Sequence, residues 1–242
     1  EAGCSAKLQK CEGVGACLGK CVSGREGDDM ENKVMKFYSR AGANIILRAI
    51  PGHFATSHSH INYYVDMTGL KTRRSEAAAV GKAFVQRLPV DTVVDTIVCL
   101  DGCEVIGAYV AEELERGNFP SMNQHQTVYV VTPEFNMNNQ MIFRDNLTGA
   151  IQNKNIVLLL ATATTGMTLH RSLNCIQYYG GNVQAIFSVF SAVKSIQGIN
   201  VESMFDTSDV PGYQAYEPYN CPLCKGKQRL DAMVNGYGYS KL

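Results

Sequence analysis

The chain has 242 residues with 22 basic and 22 acidic side chains, so its formal net charge at pH 7 is zero. Its hydrophobic content of 45% is typical of a globular protein with a substantial core. A neutral balance without a Lys/Arg cluster argues against nucleic acid or an anionic membrane as the main partner. No apolar run reaches the roughly 18–20 residues that span a bilayer, and residues 1–29 lack the apolar segment of a signal peptide. We therefore expect no membrane association and a cytoplasmic location.

Residues 1–29 differ from the rest of the chain because they are rich in Gly, Cys and Lys and show little periodicity. Their four cysteines, at 4, 11, 17 and 21, follow a spacing that matches no familiar zinc pattern. A metal site and free thiols are both open for this segment. The total of nine cysteines is odd, and a disulfide framework is not expected. We interpret 1–29 as an extension and 30–242 as one domain.

The remaining chain alternates between helix and strand patterns. In chain order we predict a helix over 75–88 that Pro89 ends, a strand over 92–100, a helix over 105–116, a strand over 127–131, a polar loop over 133–143, a strand from Asn155, a helix over 169–176 and a strand over 182–190. This alternation predicts an α/β fold with a parallel sheet flanked by helices. Ligands of such sheets bind at the carboxyl ends of strands, where residues 101–104 and 161–168 are expected.

The stretch from Asn155 to Thr168 combines an apolar strand pattern with a Thr/Gly loop and the start of a helix. Free backbone N–H groups and the positive end of the helix dipole converge in such a loop. The expected ligand is a phosphate group.

Three of the five histidines, at 53, 58 and 60, lie within eight residues. His58 and His60 would share one side of an extended strand, which makes metal binding conceivable. No acidic residue or cysteine is found nearby at a spacing suited to a metal ligand. The alternative is a polar loop over a pocket.

Three motifs in this order resemble the type I phosphoribosyltransferases, and among them the orotate-specific members. Residues 52–54 (Gly-His-Phe), together with Ser57, His60 and Tyr64, are similar to the N-terminal hood of the family. Residues 156–168 resemble its phosphoribosyl-diphosphate loop. The ending Cys221-Pro-Leu-Cys224-Lys-Gly-Lys resembles a Cys-Pro-Leu-Cys-Lys-x-Gly ending of some members. The resemblance covers about residues 30–230 and implies the family fold with a small N-terminal hood.

The resemblance also implies ligands and partners. It assigns phosphate binding to the segment Ala163, Thr164, Thr165, Gly166, Met167 and Thr168, and hood roles to His53, Phe54, Ser57, His60 and Tyr64. The implied ligand is a nucleoside monophosphate or phosphoribosyl diphosphate. A homodimer is implied, and Mg²⁺ is implied if the protein is catalytic.

The sequence departs from the family pattern at three places. Leu160 and Ala161 replace an acidic pair that contacts ribose and manages Mg²⁺, and neither side chain offers an oxygen. The loop over 132–143 has no basic residue to neutralise pyrophosphate, and Arg144 is the first one. The pyrophosphate loop Asp101-Gly102-Cys103-Glu104 carries two carboxylates where orotate enzymes tend to have a Lys.

The candidates for catalysis are therefore Asp101, Glu104 and Arg144, although the two carboxylates also suit a helix N-terminus. Three hypotheses follow. The first is a phosphoribosyltransferase-fold protein that binds the 5′-phosphate of a ligand without efficient transfer. The second is an active orotate-type transferase of nucleotide metabolism, and the third is a non-catalytic regulatory or structural subunit.

The pair Cys221 and Cys224 is half of a zinc site. No second pair is evident in the domain unless the N-terminal cysteines contribute. A reduced pair in a tight turn is the alternative to zinc.

Overall fold

The computed structural model describes residues 33–138 and 140–242. The extension predicted at 1–29 lies outside the described residues, as do its four cysteines. Within the described part the strands are β1 (Met35–Ser39), β2 (Gly42–Ala55), β3 (His60–Asp66), β4 (Thr96–Cys99), β5 (Tyr129–Val131), β6 (Glu134–Phe135), β7 (Met141–Ile142), β8 (Asn155–Ala163), β9 (Asn182–Ser191), β10 (Ser195–Ile196), β11 (Ile199–Asp206), β12 (Ala215–Tyr216), β13 (Ala232–Asn235) and β14 (Gly238–Lys241). The helices are α1 (Thr68–Thr72), α2 (Arg74–Val85), α3 (Glu104–Arg116), α4 (Asp145–Thr148), α5 (Met167–Tyr178) and α6 (Pro222–Lys225).

The central sheet has the strand order β10-β11-β9-β8-β4-β5. The pairs β11–β9, β9–β8, β8–β4 and β4–β5 are parallel, and β10 joins one edge antiparallel to β11. Strand β8 lies in the middle, where its residues 156–161 are fully buried. A strand with two covered faces is a continuous apolar run, which is the pattern of this segment.

Helices cover both faces of this sheet. On one face α2 and α3 pack on alternate strand residues, and Phe84 of α2 stacks on Phe187 of β9 with ring centroids 4.5 Å apart. On the other face α5 places Leu169 and Leu173 against Leu158 of β8. The predicted α/β class, with a parallel sheet flanked by helices, is confirmed.

A second sheet of six strands has the order β12-β3-β2-β13-β14, and β1 also pairs with β2. Strands β1, β2 and β3 form an antiparallel meander, and β12 is antiparallel to β3. Strand β13 from the C-terminal segment joins β2 in parallel, with Ala232 opposite Phe54. The N-terminal hood that the resemblance implies is therefore built from both ends of the domain.

Several predicted boundaries differ from the structure. The helix predicted over 75–88 ends at Val85 and continues as tight turns up to Pro89, because the N–H groups of Arg87 and Leu88 bond to carbonyls three residues back. The strand predicted over 92–100 begins only at Thr96, after Thr92 has bonded into a turn with Pro89. The loop predicted over 133–143 contains the hairpin β6–β7, with Glu134 opposite Ile142. Among the described residues no helix is long and apolar enough to cross a membrane.

Candidate ligand-binding site

The loop between β8 and α5 is the feature around which the site is built. Strand β8 continues through Ala163 and helix α5 begins at Met167, so the loop predicted over 161–168 is only the three residues 164–166. Gly166 caps the helix with a φ of +76°, in the left-handed region. A side chain at that φ would be strained, so glycine allows the sharp turn from strand into helix.

The backbone N–H groups of this loop have no protein partner. Within the described residues, none of the N–H groups of Thr164, Thr165 and Gly166 donates a hydrogen bond, and no side chain caps α5. The hydroxyls of Thr164, Thr165 and Thr168 are also without a bond in that part of the chain, and Thr165 and Thr168 are exposed. Unpaired donors at the positive end of a 12-residue helix suit an anion.

This loop opens into a cavity of about 620 Å³, a volume typical of small-molecule sites. Residues 163–168 form one wall. The other walls come from the β2–β3 turn and β3, the pyrophosphate loop, the β6–β7 hairpin and the C-terminal hairpin β13–β14. Their main contributions are Ser57, His58, Tyr64, Asp101, Pro133, Phe135, Asn235, Gly236 and Tyr237.

The cavity is poor in charge. Among the described residues that line it there is no Lys or Arg, and Asp101 is the single carboxylate. An anion bound here would be held by N–H and hydroxyl dipoles and by the α5 N-terminus. Such a donor set suits one phosphate group better than the larger charge of a diphosphate.

Asp101 is held in place by the residues around it. Its φ of +55° is in the left-handed region, which Asp tolerates better than most residues. The buried Lys71 donates from Nζ to the carbonyl oxygens of Asp101 and Gly236, which ties the pyrophosphate loop to the C-terminal hairpin. Burial raises the pKa of the Asp101 carboxyl, and the Lys71 charge and the N–H groups of Ala161 and Thr162 offset only part of that rise.

The other predicted residues of the pyrophosphate loop are at the start of α3. Gly102 has a φ of +74°, and Cys103 is buried at the N-cap, where burial raises the pKa of its thiol. Glu104 is exposed and accepts a hydrogen bond from Thr132 Oγ1 at 3.1 Å. The structure thus places Asp101 in the cavity lining and Glu104 outside it.

Arg144 also lies outside the cavity lining. Its guanidinium donates from Nε and Nη2 to Oε2 of Glu134, at 2.9 and 2.7 Å, across the β6–β7 hairpin. This exposed ion pair connects the two sides of the hairpin. Only Pro133 and Phe135 of this segment line the cavity. Arg144 is committed to Glu134 in this arrangement.

The positions of the missing acidic pair are inside the strand. Leu160 and Ala161 are both buried in β8, and Leu160 packs towards α5. Because Leu160 and Ala161 stand in place of the acidic pair, Asp101 is the single side-chain carboxylate in the described lining that could bind a hard cation. This donor set does not fit a protein-held Mg²⁺ site.

The structure divides the predicted hood residues into two groups. Ser57 and Tyr64 line the cavity, and burial, followed by the nearby Asp66 and Tyr239, raises the pKa of the Tyr64 hydroxyl. Phe54 is in the core. His53 and His60 face away from the cavity lining and meet Cys221 and Cys224, with all four ligand atoms within 4.8 Å of one another.

No family model and no curated protein matches the sequence. Solved structures with a similar fold include orotate phosphoribosyltransferase from Mycobacterium tuberculosis in complex with inorganic phosphate, at 15% identity over 62% of this chain and 80% of that chain, with a TM-score of 0.45. Adenine phosphoribosyltransferase from Trypanosoma brucei, with AMP, pyrophosphate and ribose-5-phosphate, matches at 12% identity over 73% and 87%, with a TM-score of 0.47. The enzyme of that name from Thermoanaerobacter pseudethanolicus matches at 13% identity over 73% and 97%, with a TM-score of 0.46. These likenesses are distant.

Sequence reasoning missed the C-terminal contribution to the site. Asn235, Gly236 and Tyr237 close the cavity from the turn of the β13–β14 hairpin, where Asn235 Oδ1 accepts the N–H groups of Tyr237 and Gly238. The run Asn-Gly-Tyr-Gly at 235–238 is a turn signal that would have predicted this hairpin. Its place at the cavity depends on the pairing of β13 with β2, which no local pattern specifies.

Proposed function

We propose that this protein is a phosphoribosyltransferase-like binding protein that holds the 5′-phosphate of a nucleoside monophosphate or phosphoribosyl ligand on residues 163–168, without efficient transfer. The observation that carries the proposal is the set of unpaired N–H and hydroxyl donors at the start of α5, which opens into a cavity of nucleotide size. The sequence resemblance supplies the ligand class.

Weak transfer follows from the charge of the lining. Departure of pyrophosphate needs cations or a metal held in place before the reaction. The lining offers no Lys or Arg among its described residues, and Leu160 and Ala161 offer no metal ligand. The dipoles of the loop suffice for a phosphate but leave the developing charge of a diphosphate without compensation.

A second candidate is an active orotate-type transferase. The observation in its favour is that the Asp101 carboxylate faces the same cavity as the phosphate loop. If the protein is an active transferase, Asp101 contacts the substrate, and transfer needs its negative charge. In the binding reading the same charge only opposes an anionic ligand.

Two measurements on the full chain test the proposal. Calorimetry with orotidine, uridine and adenosine monophosphates and with phosphoribosyl diphosphate measures binding. Release of pyrophosphate from phosphoribosyl diphosphate and Mg²⁺ with each common base measures transfer. We expect binding of at least one monophosphate and no pyrophosphate release above background; turnover with any base supports the transferase, and an absence of all binding supports a structural or regulatory subunit.

The substitution Asp101→Asn separates the two candidates further. Asn tolerates the left-handed φ as well as Asp does, so the backbone is retained. We expect monophosphate binding to become several-fold tighter, since one repulsive charge is removed from a partly buried site. A transferase that uses this carboxylate would instead lose its turnover.

A further inference from the structure

Four metal-binding side chains from opposite ends of the domain meet beside the cavity. His53 and His60 come from the β2–β3 hairpin, where His60 is opposite Ala55 and contacts the His53 ring two residues earlier in β2. Cys221 and Cys224 come from the turn that begins α6. None of the four lines the ligand cavity.

Four of the six distances between these atoms fit the edges of a tetrahedron, and the other two are below 4.8 Å. His53 Nε2 is 3.2 Å from His60 Nδ1, 3.5 Å from Cys221 Sγ and 3.6 Å from Cys224 Sγ, and His60 Nδ1 is 3.3 Å from Cys224 Sγ. Zinc–nitrogen bonds of about 2.0–2.1 Å and zinc–sulfur bonds of about 2.3 Å require edges of about 3.3 Å for N···N and about 3.6 Å for N···S.

Hydrogen bonds alone leave this cluster incompletely satisfied. Nδ1 of His53 is 2.9 Å from the carbonyl oxygen of Gln228, which can only accept, so Nδ1 carries the proton and Nε2 presents one lone pair. Three groups converge on that lone pair, and it can accept a hydrogen bond from only one of them. The Nδ1–H to carbonyl bond is also the contact that orients histidines bound to a metal.

Hydrogen bonds of the backbone fix the cysteine turn and attach the C-terminal segment to the β2–β3 hairpin. The N–H of Lys227 donates to the carbonyl of Cys224 at 2.9 Å, which closes the turn around the second thiol. Asp231 accepts the N–H of His53 on Oδ2 at 2.7 Å and donates its own N–H to the His53 carbonyl at 2.8 Å. His53 and Cys221 are fully buried while Cys224 is exposed, which leaves a path for an ion to enter.

We propose that His53, His60, Cys221 and Cys224 bind one Zn²⁺ ion in a closed, structural site that fastens the C-terminal segment to the β2–β3 hairpin. Four protein ligands leave no open position for chemistry on the metal. The consequence for the cavity is indirect. The fastened segment continues into β13, whose pairing with β2 places Asn235 and Tyr237 at the cavity.

The test measures metal in the full chain, purified under reducing conditions. The N-terminal cysteines could bind metal independently, so the measurement is repeated in a full chain with Cys4, Cys11, Cys17 and Cys21 replaced by Ser. We expect about one Zn²⁺ per chain in both by elemental analysis. We also expect titration with Co²⁺ to give the visible absorption of a tetrahedral ion with thiolate ligands.

Variants assign the ligands. Cys224→Ser and His60→Gln should each weaken Co²⁺ binding at least tenfold, because loss of an outer-shell partner alone typically costs about 10–100-fold in metal affinity. The controls Cys175→Ser and His58→Gln alter a half-buried thiol and an exposed imidazole outside the cluster and should bind Co²⁺ as the parent does.

A measurement on the unmutated chain guards against variants that fail to fold. Removal of Zn²⁺ with a chelator should lower the midpoint of thermal unfolding, and restored Zn²⁺ should raise it again. A reduced and folded chain that takes up neither Zn²⁺ nor Co²⁺ overturns the proposal. Uptake that is lost with the N-terminal cysteines and unaffected by Cys224→Ser overturns it as well.

Discussion

Individual residues determine the shape of the β8–α5 loop, the anion site that we propose. Gly166 supplies the left-handed turn, and its neighbours supply donors that the protein does not use. A Cβ at Gly166 would make ordinary contacts, about 3.6 Å, with Val193 and Ile196, so the backbone angle and not space excludes a side chain. The loop is therefore sensitive to φ rather than to volume.

The substitution Gly166→Val tests this sensitivity. A β-branched residue resists the φ of +76°, so the loop should change shape and its N–H groups should no longer converge. We expect monophosphate binding in calorimetry to weaken by about tenfold or more, which corresponds to at least about 1.4 kcal/mol. Gly198→Val is the matched control, because Gly198 has a φ of +81° and its Cβ would lie in open space. Equal losses of affinity in both variants would contradict the assignment of the loop.

Asp95 is the buried polar residue on which the start of the central sheet depends. Its Oδ2 accepts the backbone and side-chain N–H groups of Asn155 at 2.8 and 2.9 Å, and Oδ1 accepts Ser121 Oγ and the N–H of Met122. Burial alone would raise the pKa of this carboxyl, but these hydrogen bonds outweigh burial and hold the pKa below its ordinary value.

We predict that Asp95→Asn lowers the free energy of unfolding at pH 7 by about 2–3 kcal/mol, since the amide retains a single acceptor oxygen. A carboxyl with a depressed folded-state pKa stabilises the fold above its unfolded pKa of about 3.9 and loses that effect as pH falls through the folded pKa. The difference in free energy of unfolding between the parent and Asp95→Asn, measured with urea, should thus be constant near neutrality and decrease below about pH 4. Asp91→Asn, at an exposed position, should change little, and a gap that persists in acid would contradict the interpretation.

Helix α3 packs closely on strands β4 and β5 of the central sheet at Gly107. Gly107 faces β4 and β5, where a Cβ would lie 2.4 Å from Cys99 Sγ and 3.2 Å from Val130 Cγ1. Both neighbours belong to parallel strands that pair with each other. The helix therefore lies close to the sheet at a position that only glycine permits.

We predict that Gly107→Ala destabilises the protein by about 1–3 kcal/mol, although alanine is the better helix former by about 1 kcal/mol. Overpacking against β4 outweighs the gain in propensity. Gly149→Ala is the control, since its Cβ would meet nothing within 4 Å and its φ is −63°. Chemical unfolding measures both variants. Greater stability of Gly107→Ala would show that α3 is free to move away from the sheet.

Within the described residues, the C-terminal segment connects the two six-stranded sheets. It leaves the central sheet after β11, adds β12 to the edge of β3, passes the cysteine turn and returns as β13 beside β2. Lys71 then joins the C-terminal hairpin to the loop over 101–104 through two carbonyl oxygens. The cavity is thus enclosed by segments that are far apart in sequence.

Association of two chains is also a property at this scale. The resemblance to the phosphoribosyltransferases implies a homodimer, and the homodimer stays a prediction. Light scattering on the eluting protein should give twice the 26.5 kDa of one chain. A mass equal to one chain at micromolar concentration would contradict it.

Local patterns in the sequence are enough to predict the central sheet and the β8–α5 loop. An apolar run, the residues Thr-Thr-Gly and a helical pattern follow one another within 155–176, so strand, turn and helix N-terminus are all local signals. The predicted end of α2 and start of β4 are wrong because hydrogen-bonded turns lie over 84–88 and 89–92, beside these elements. The fold class could therefore be predicted, and the element ends could not.

Contacts between residues that are distant in sequence depend on the folded arrangement of the strands. His58 and His60 were expected to share a side, whereas the structure places His58 at the cavity and pairs His60 with His53. The sequence pattern does not predict that His53 and His60 lie beside Cys221 and Cys224, because the histidines are more than 160 positions earlier in the chain. Periodicity and turn signals extend over a few residues, while these contacts depend on how β2 pairs with β3 and β13. Local residue chemistry selects the strands and the loop, and long-range contacts, strand pairing among them, select the neighbours.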